Sequence, residues 1–330
     1  MPAKPVAPSA GSVNFQVRPW YKSWYAAPWI QDDWKVTSRL TVNVGLRWDL
    51  NLPVTERYNR MNIGFDPQAA SPVFNGISAA LLTQYPNFKD GRGAIQFAGI
   101  NGNRRGATLA DYNNLQPRIG AAYQVTRRLT ARGGYGLYFT NFQGNNMMQT
   151  LGFSNTTDMI SSLDGGRTPV ANLLTNPVPG GVQLPPGSAL GPLTFVGRNI
   201  TQYNSKYSLP YVHQFSFGFQ YLLTQSAVLD VSYVGSRTRN YSATFDRNLP
   251  SWDLAKQCDV REGGQRGFCD VALTNPMFGL ATLAGTRLGT SPTLARWDLN
   301  RPFPQFDGSV TEPGQNLGKL WYNALQVSFT

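Results

Sequence analysis

The stretch of sequence that decides the fold is residues 40–52, LTVNVGLRWDLNL. Leucine, valine and tryptophan occupy its even positions, whereas threonine, asparagine, glycine, arginine and aspartate occupy its odd positions. A period of two places neighbouring side chains on opposite faces of a β-strand. Residues 40–52 are therefore predicted to form a long strand with one apolar face.

The same alternation recurs along the chain, in residues 118–125, 129–139, 214–223, 229–233 and 321–329. Together with residues 24–36, these segments predict seven strands. Strands of about 12 residues are longer than the 5 to 6 residues typical of globular proteins, which argues against a soluble sandwich.

The connections between these strands alternate between short and long. Residues 37–39, 126–128 and 224–226 have the length of hairpin turns, and the first two lie in a repeated motif, VTSRLT at 36–41 and VTRRLT at 125–130. Residues 56–113, 143–205 and 242–317 are long and rich in Gly, Pro, Asn and Ser. Successive connections of an up-and-down sheet lie at opposite ends of the strands, so one end carries turns and the other carries loops.

This asymmetry is typical of an outer-membrane barrel, with short periplasmic turns and long extracellular loops. Long loops without structure of their own are uncommon in compact soluble domains. The predicted fold class is therefore all-β: a partial antiparallel up-and-down transmembrane β-barrel.

Aromatic residues lie at common heights on the predicted outward face. Trp34, Tyr123 and Tyr221 each precede a short turn by a similar distance, so they are predicted to form the periplasmic aromatic girdle. With a rise of about 3.4 Å per residue and a tilt near 45°, Trp48 and Phe139 lie roughly 20 to 25 Å above their turns. These two residues are predicted to belong to the opposite girdle.

Composition and charge exclude other classes of protein. The chain is 41% hydrophobic and only 14% charged, which argues against disorder, and it contains no run of about 18 apolar residues that could form a spanning helix. Its formal net charge is +11, from 29 Lys and Arg against 18 Asp and Glu. The basic residues are scattered and no nucleic-acid-binding motif accompanies them, so we expect no nucleic-acid partner.

The sequence offers little for catalysis. His213 is the only histidine in the chain. A catalytic site that needs two histidines and a metal site with two or more histidine ligands are therefore excluded. Asp32 and Asp33 are neighbours on a predicted strand and point to opposite faces. Asp32 then faces lipid near the interface, unless a β-bulge turns both carboxylates inward. We expect no catalytic, metal or cofactor site, and we expect that the protein is not an enzyme.

Four charged residues, Arg47, Arg118, Arg132 and Asp230, fall on the polar face and are predicted to line the lumen. They could form a track for an anionic solute, anchor a plug, or serve as solvated wall charges, and the sequence leaves these alternatives open. The two cysteines, Cys258 and Cys269, lie in the longest loop. An extracellular loop is in an oxidising space, so we predict a disulfide between them.

The first hairpin resembles a known family. Residues 29–48, WIQDDWKVTSRLTVNVGLRW, are similar to the hairpin Y-x-Q-D-x-W-K-x-x-x-x-L-T-x-N-x-G-L-R-Y of TonB-dependent outer-membrane receptors. LQPRIG at 115–120, LPYVHQ at 209–214 and VSYVGS at 231–236 resemble the Oar-like receptors, which carry a carboxypeptidase-regulatory-like domain.

The resemblance implies a receptor of the Gram-negative outer membrane that binds a solute at its outer loops and admits it through the lumen. The implied partners are outer-membrane lipid and lipopolysaccharide, an unknown solute, and the TonB complex acting through a plug. Such receptors have about 22 strands, so we interpret residues 20–330 as a partial barrel and residues 1–19 as a disordered or truncated segment. The alternatives are a porin-like channel, an adhesion or secretion protein without TonB coupling, and a soluble all-β binding or hydrolytic module.

Overall fold

The computed structural model describes residues 11–140, 149–159, 162, 168–169, 175–176, 178 and 181–330. Within these residues the chain consists mainly of β-strands. The strands are β1 Ser12–Gln16, β2 Tyr21–Lys22, β3 Tyr25–Ala26, β4 Trp29–Lys35, β5 Leu40–Trp48, β6 Leu50–Asn51, β7 Thr55–Glu56, β8 Asn62–Ala70, β9 Arg92–Phe97, β10 Leu115–Gln124, β11 Leu129–Phe139, β12 Ser154–Asp158, β13 Ile200–Thr201, β14 Tyr211–Thr224, β15 Ala227–Asp246, β16 Ala272–Thr274, β17 Thr293–Ala295 and β18 Val310–Phe329.

Helices in the described residues are short. They are α1 Ala79–Gln84, α2 Trp252–Cys258, α3 Arg287–Thr290 and α4 Arg296–Leu299, with 3₁₀ turns at Pro72–Phe74, Pro86–Phe88, Gly191–Leu193, Val260–Glu262 and Ala281–Leu283. None of the helices in the described part of the chain is long and apolar enough to cross a membrane.

The main sheet is a meander of seven antiparallel strands, in the spatial order β4-β5-β10-β11-β14-β15-β18. We call this meander the wall. The predicted all-β, up-and-down architecture is confirmed, and each predicted strand overlaps one strand of the wall. The predicted strands 24–36 and 40–52 are each divided in two, because they also contain the short strands β3 and β6 of a separate sheet. Because seven strands alternate in direction, the first and the last both run from the long-loop end toward the short-turn end. An eighth strand, β13, adds a short parallel pairing to the start of β18.

The register separates an apolar face from a polar face. Val44 lies opposite Ile119, which lies opposite Tyr135, which in turn lies opposite Phe215. The neighbouring row of the polar face contains Asn43, Gly120, Gly134 and Ser216. The apolar row is exposed, with Val44 at 51% and Ile119 at 52%. Contiguous apolar surface of this extent calls for a hydrocarbon environment, since water would penalise it.

The repeated VTxRLT motif folds into the same turn twice. The Thr37 amide donates to the Leu40 carbonyl (3.2 Å), and the Thr37 hydroxyl accepts from the Leu40 amide (3.0 Å). Thr126 and Leu129 repeat both bonds, at 3.1 and 3.0 Å. A threonine hydroxyl that accepts a hydrogen bond from a nearby amide stabilises a turn. This bond explains why threonine and leucine have the same spacing in both copies of the motif.

The third hairpin turn is shorter than predicted. Thr224 pairs directly with Ala227, so the turn contains Gln225 and Ser226 rather than the three residues 224–226. A register shift between Leu222 and Thr224 accounts for the difference, because the bulge absorbs one residue into the strand.

The pairing extends beyond the predicted strands at the long-loop end of the wall. β3 pairs with β6 and β2 pairs with β7, so the first hairpin continues outward from β4 and β5. β15 and β18 are each 20 residues long, well beyond the predicted segments 229–233 and 321–329. The pairing of β15 with β18 shifts register between Thr238 and Tyr241, where Asn240 lies in the left-handed region (φ 56°).

The three long connections, residues 57–114, 140–210 and 247–309, are not the structureless loops that the sequence suggested. Their described parts contain short strands and helices and form the principal hydrophobic cores of the molecule. We call these parts the cap. Their apolar residues occur singly among Gly, Pro and Asn, so they show no period that predicts an element.

Two cores join the connections to one another. In the first, Phe74 and Phe88 of the first connection pack with Met277 and Leu288 of the third. In the second, residues of all three connections pack together, namely Phe65, Ile95, Phe97, Phe153, Ile200, Phe303 and Phe306 with Val310 of β18. The cap is therefore one packed body.

The N-terminal segment differs in part from its prediction. Residues 1–10 of the predicted disordered or truncated segment 1–19 lie outside the described residues. Ser12–Gln16 form β1 and pair with β12, and the Asn14 side chain donates to the Thr156 hydroxyl at 2.9 Å. The pairing partner lies far away in sequence, so local composition did not indicate this strand.

We predict that arginine is tolerated on one face of the wall and not on the other. Leu325→Arg places a cation in hydrocarbon on the apolar face, where Tyr233 lies opposite, and should destabilise the folded chain by about 2–4 kcal/mol. Gln326→Arg, one residue away on the polar face and opposite Ser232, should change stability little. Equilibrium unfolding from lipid bilayers measures both, and equal losses would contradict the assignment of faces.

Candidate functional site

A groove of about 500 Å³ crosses the polar face of the wall. Its polar side chains include Gln31, Asn43, Arg118, Tyr138, Gln214 and Ser216. Its floor contains Gly45, Gly120, Gly134 and Gly136, which add no side-chain volume. A Cβ atom on Gly136 would lie 2.6 Å from the Tyr138 ring, so any larger residue there would displace this tyrosine. The groove exists because small residues meet in adjacent strands.

Arg118 provides the principal charge of this groove. Its guanidinium lies 4.8 Å from the centre of the Tyr138 ring, a distance suited to a cation–π contact. Its Nε is buried without a hydrogen-bond partner, and within the described residues no carboxylate lies at ion-pair distance from it. Arg118 therefore keeps unused hydrogen-bonding capacity.

Arg47 is held by local contacts. Its Nε donates to Asp49 Oδ1 at 2.7 Å, and its Nη2 donates to the Tyr25 hydroxyl at 2.6 Å. Asp49 is buried. These contacts favour a wall charge over a free anion contact at Arg47.

Arg132 and Asp230 pair across an intervening strand, with 2.6 Å between Arg132 Nη2 and Asp230 Oδ2. Gly218 of β14 lies opposite both Arg132 and Ser232, so no side chain stands between the two charges. A Cβ on Gly218 would approach the Ser232 Cβ to 2.6 Å. Of the four predicted lumen charges, three are thus engaged in ion pairs and Arg118 is left without an acidic partner in the described chain.

The predicted girdle residues lie on the apolar face. Trp34, Tyr123 and Tyr221 are exposed near the short turns. At the opposite end, the Trp48 indole donates to the Tyr112 carbonyl at 2.7 Å, and Phe139 packs against Tyr211 with 5.5 Å between ring centres. Their membership of two lipid-interface girdles remains a prediction.

Among the remaining polar candidates of the wall, Asp33 and His213 have side-chain partners. Asp32 lies opposite Val44 and Asp33 lies opposite Asn43, with no register shift, so no bulge turns both carboxylates inward. The Asn43 side chain donates to Asp33. On the apolar face, His213 Nδ1 lies 2.7 Å from the Tyr135 hydroxyl. In the described part of the chain, no cluster of three or more acidic, histidine or cysteine side chains could hold a metal.

Cys258 and Cys269 are joined by a disulfide, with their Cα atoms 5.6 Å apart. Cys258 is the last residue of α2, which begins where the Ser251 hydroxyl accepts a hydrogen bond from the Leu254 amide (3.3 Å). The disulfide closes a mostly exposed loop, residues 258–269, within the third connection.

Glu56 anchors the outer end of the first hairpin. It is fully buried, and its carboxylate accepts hydrogen bonds from the amides of Trp20 (2.9 Å), Tyr58 (2.6 Å) and Arg60 (2.8 Å). Burial by itself would raise the pKa of Glu56, but the amides of Arg60, Trp20 and Tyr58 outweigh it and hold the pKa below its ordinary value.

Polar contacts also tie the connections of the cap together. The Gln305 side chain donates to the Arg92 carbonyl at 2.6 Å, and the Thr282 hydroxyl donates to the Val73 carbonyl at 2.7 Å. Each bond joins the third connection to the first. These bonds hold the first and third connections in fixed positions relative to each other.

Sequence reasoning missed Tyr138, Asp49 and Glu56. The Arg47–Asp49 pair carries a local signal, since the two residues are two apart on one strand and share a face. The contact between Arg118 and Tyr138 depends on the register of β10 and β11, and Glu56 reads as an ordinary loop residue. No spacing in the sequence indicates the Arg118–Tyr138 contact or the role of Glu56.

A meander with one lipid-compatible face, one polar grooved face, short turns at one end and a folded cap at the other is the wall of an outer-membrane β-barrel. The chain belongs to the outer membrane beta barrel domain family, whose model matches residues 6–330. It is therefore a protein of the Gram-negative outer membrane. Among curated proteins, none matches the chain significantly.

We predict that Glu56→Gln loosens the junction of β2 and β7. The charged carboxylate accepts hydrogen bonds that a neutral amide accepts more weakly. Because the folded pKa is lowered, this stabilisation is present above the unfolded pKa near 4.5 and is lost as the pH falls through the folded value. Hydrogen exchange of the Trp20, Tyr58 and Arg60 amides should accelerate in the variant at pH 7, and the difference from wild type should shrink in acid. Unchanged exchange at pH 7 would contradict the assignment.

We predict that the disulfide stabilises only its own part of the cap. The double variant Cys258→Ser with Cys269→Ser should lose about 3 kcal/mol of local stability, the contribution that loop closure gives a ring of this size. Hydrogen exchange across residues 252–270 measures the loss, while exchange in the wall should stay unchanged. Two free thiols in wild-type protein purified from membranes would refute the pairing.

Proposed function

We propose that this chain is part of the barrel and outer surface of a TonB-dependent receptor, which binds a solute at its outer loops and admits it through the lumen. The principal support is the packing of three connections into one cap above a grooved polar face. The resemblance of residues 29–48 to the receptor hairpin adds to this support. An adhesion protein would use only the cap to bind its partner. A receptor that takes up a solute would use both the cap and the polar groove.

The order within the cap supports solute binding. Ordering a mobile loop on binding costs free energy, so a preformed surface binds with less loss. The two hydrophobic cores and the hydrogen bonds between connections reduce this cost for any ligand that contacts the cap.

The charge of the groove supports passage of solutes with anionic groups, or contact with an acidic group of a plug. Arg118 has no carboxylate partner among the described residues, while Arg47 and Arg132 are paired with Asp49 and Asp230. A single cation in a polar groove attracts an anion without trapping it among several charges. The coupling partner in this proposal is the TonB complex, which acts through a plug.

Electrical recording distinguishes the receptor from the porin-like channel. The complete gene product that contains this chain is inserted into planar lipid bilayers, with potassium chloride as the probe. A plugged receptor should insert without steady conductance, because the lumen is closed at rest. Insertion is verified by a heat-modifiable shift in electrophoretic mobility.

Steady open-channel current from every inserted molecule would contradict TonB coupling and favour the porin-like channel. In cells, uptake of a solute identified by binding to the purified protein should stop when an uncoupler collapses the proton-motive force. Uptake that persists would also contradict the proposal.

A further inference from the structure

The outward face of the wall changes character with height. Between the two predicted girdles, its described positions carry a single charged residue, Asp32. Above this band, cations replace the apolar residues on β15, at Arg237 and Arg239. With the rise and tilt used above, Arg237 lies roughly 29 Å above the turn at Gln225, the level of the outer membrane interface.

Arg237 and Arg239 lie in a compact patch formed by three strands. Arg237 lies opposite His213 on one side and Trp321 on the other, and Arg239 lies opposite Tyr211. The Arg239 guanidinium is 5.9 Å from the centre of the Trp321 ring, which is 59% exposed. We call these five residues the outer patch.

The guanidinium of Arg237 is oriented by neutral groups. Its Nη1 donates to Asn323 Oδ1 (3.1 Å) and to the carbonyls of Ser236 (3.0 Å) and Tyr322 (3.3 Å). The guanidinium also lies 5.7 Å from the centre of the Phe215 ring. These contacts fix its position and leave its charge uncompensated.

Six other arginines of the described chain have acidic partners. Arg47 and Arg132 on the polar face, and Arg247, Arg261, Arg287 and Arg301 in or beside the cap, all form ion pairs. In the same described residues, no carboxylate lies at ion-pair distance from Arg237 or Arg239. The outer patch therefore presents positive charge that no described carboxylate neutralises, and it is able to bind an external anion.

The first hairpin repeats this combination at its outer end. Lys22 Nζ is 5.0 Å from the centre of the Trp24 ring, and the Arg57 guanidinium is 5.5 Å from that of Trp20. Both tryptophans are 62% exposed. The nearby carboxylate, Glu56, is buried and bonded to backbone amides, so it does not neutralise these cations.

We propose that the outer patch binds the phosphorylated sugar headgroup of lipopolysaccharide in the outer leaflet. Guanidinium groups form strong charge-assisted hydrogen bonds with phosphate. The exposed ring of Trp321 offers a flat apolar surface for the sugar, and the strand below it offers the Leu325 and Val327 side chains to the acyl chains. The proposal concerns the lipid-facing surface and does not depend on solute uptake.

Binding of defined lipids to the full chain, purified in detergent, tests the proposal. The probes are rough lipopolysaccharide, the same material after enzymatic dephosphorylation, and phosphatidylglycerol. Native mass spectrometry counts bound molecules, and tryptophan fluorescence gives the affinity. Removing two charge-assisted hydrogen bonds in Arg237→Gln with Arg239→Gln should weaken binding of rough lipopolysaccharide at least about tenfold.

Matched variants make the result specific. Arg237→Lys with Arg239→Lys keeps both charges and should retain most of the affinity. Arg127→Gln with Arg128→Gln removes the same charge at the short-turn end and should bind as wild type does. A heat-modifiable shift in mobility shows that each variant is folded.

Three outcomes would overturn the proposal. The first is undiminished binding by the folded double glutamine variant. The second is equal affinity for dephosphorylated lipopolysaccharide, which would remove the role of phosphate. The third is equal affinity for phosphatidylglycerol, which would indicate a general preference for anionic lipid.

Discussion

Cross-strand register is the constraint on which the rest of this structure depends. Because side chains alternate along every strand, a slip of one residue would carry the apolar row of Val44 and Ile119 to the polar face. The two VTxRLT turns hold this register at one end through a threonine hydroxyl that bonds the first amide of the next strand. The lipid-facing surface, the glycine-floored groove and the cross-strand pair of Arg132 and Asp230 all follow from the same alignment.

The molecule divides its apolar residues between two environments. In the wall they face outward and are exposed, whereas in the cap they are buried in cores such as that of Phe88, Met277 and Leu283. The wall therefore needs a bilayer to bury its apolar surface, while the cap is stabilised by its own packing. This division gives a rigid outer surface at the end of a sheet that depends on lipid.

The wall could be predicted from the sequence, and the cap could not. Residues 40–52 alternate so regularly that strand, face and neighbouring turn follow from local pattern, and the assignment of Arg47, Arg118, Arg132 and Asp230 to the polar face agrees with the register. The partners of these charges depend on which strands are adjacent, so the pairing of Arg132 with Asp230 carried no sequence signal. In the cap, Phe65 and Phe303 meet with ring centres 5.0 Å apart although most of the chain separates them, and no periodicity marks either residue.

The odd count of wall strands in the described residues restricts how antiparallel pairing can close this sheet. β4 and β18 both run toward the short-turn end, so joining them directly would create a parallel seam. Closure by antiparallel ladders alone requires an odd number of additional strands, with a strand of opposite direction beside each edge. A second copy rotated about the membrane normal has edge strands that run in the same direction as those of the first copy. Self-association of this wall therefore cannot supply an edge strand of opposite direction.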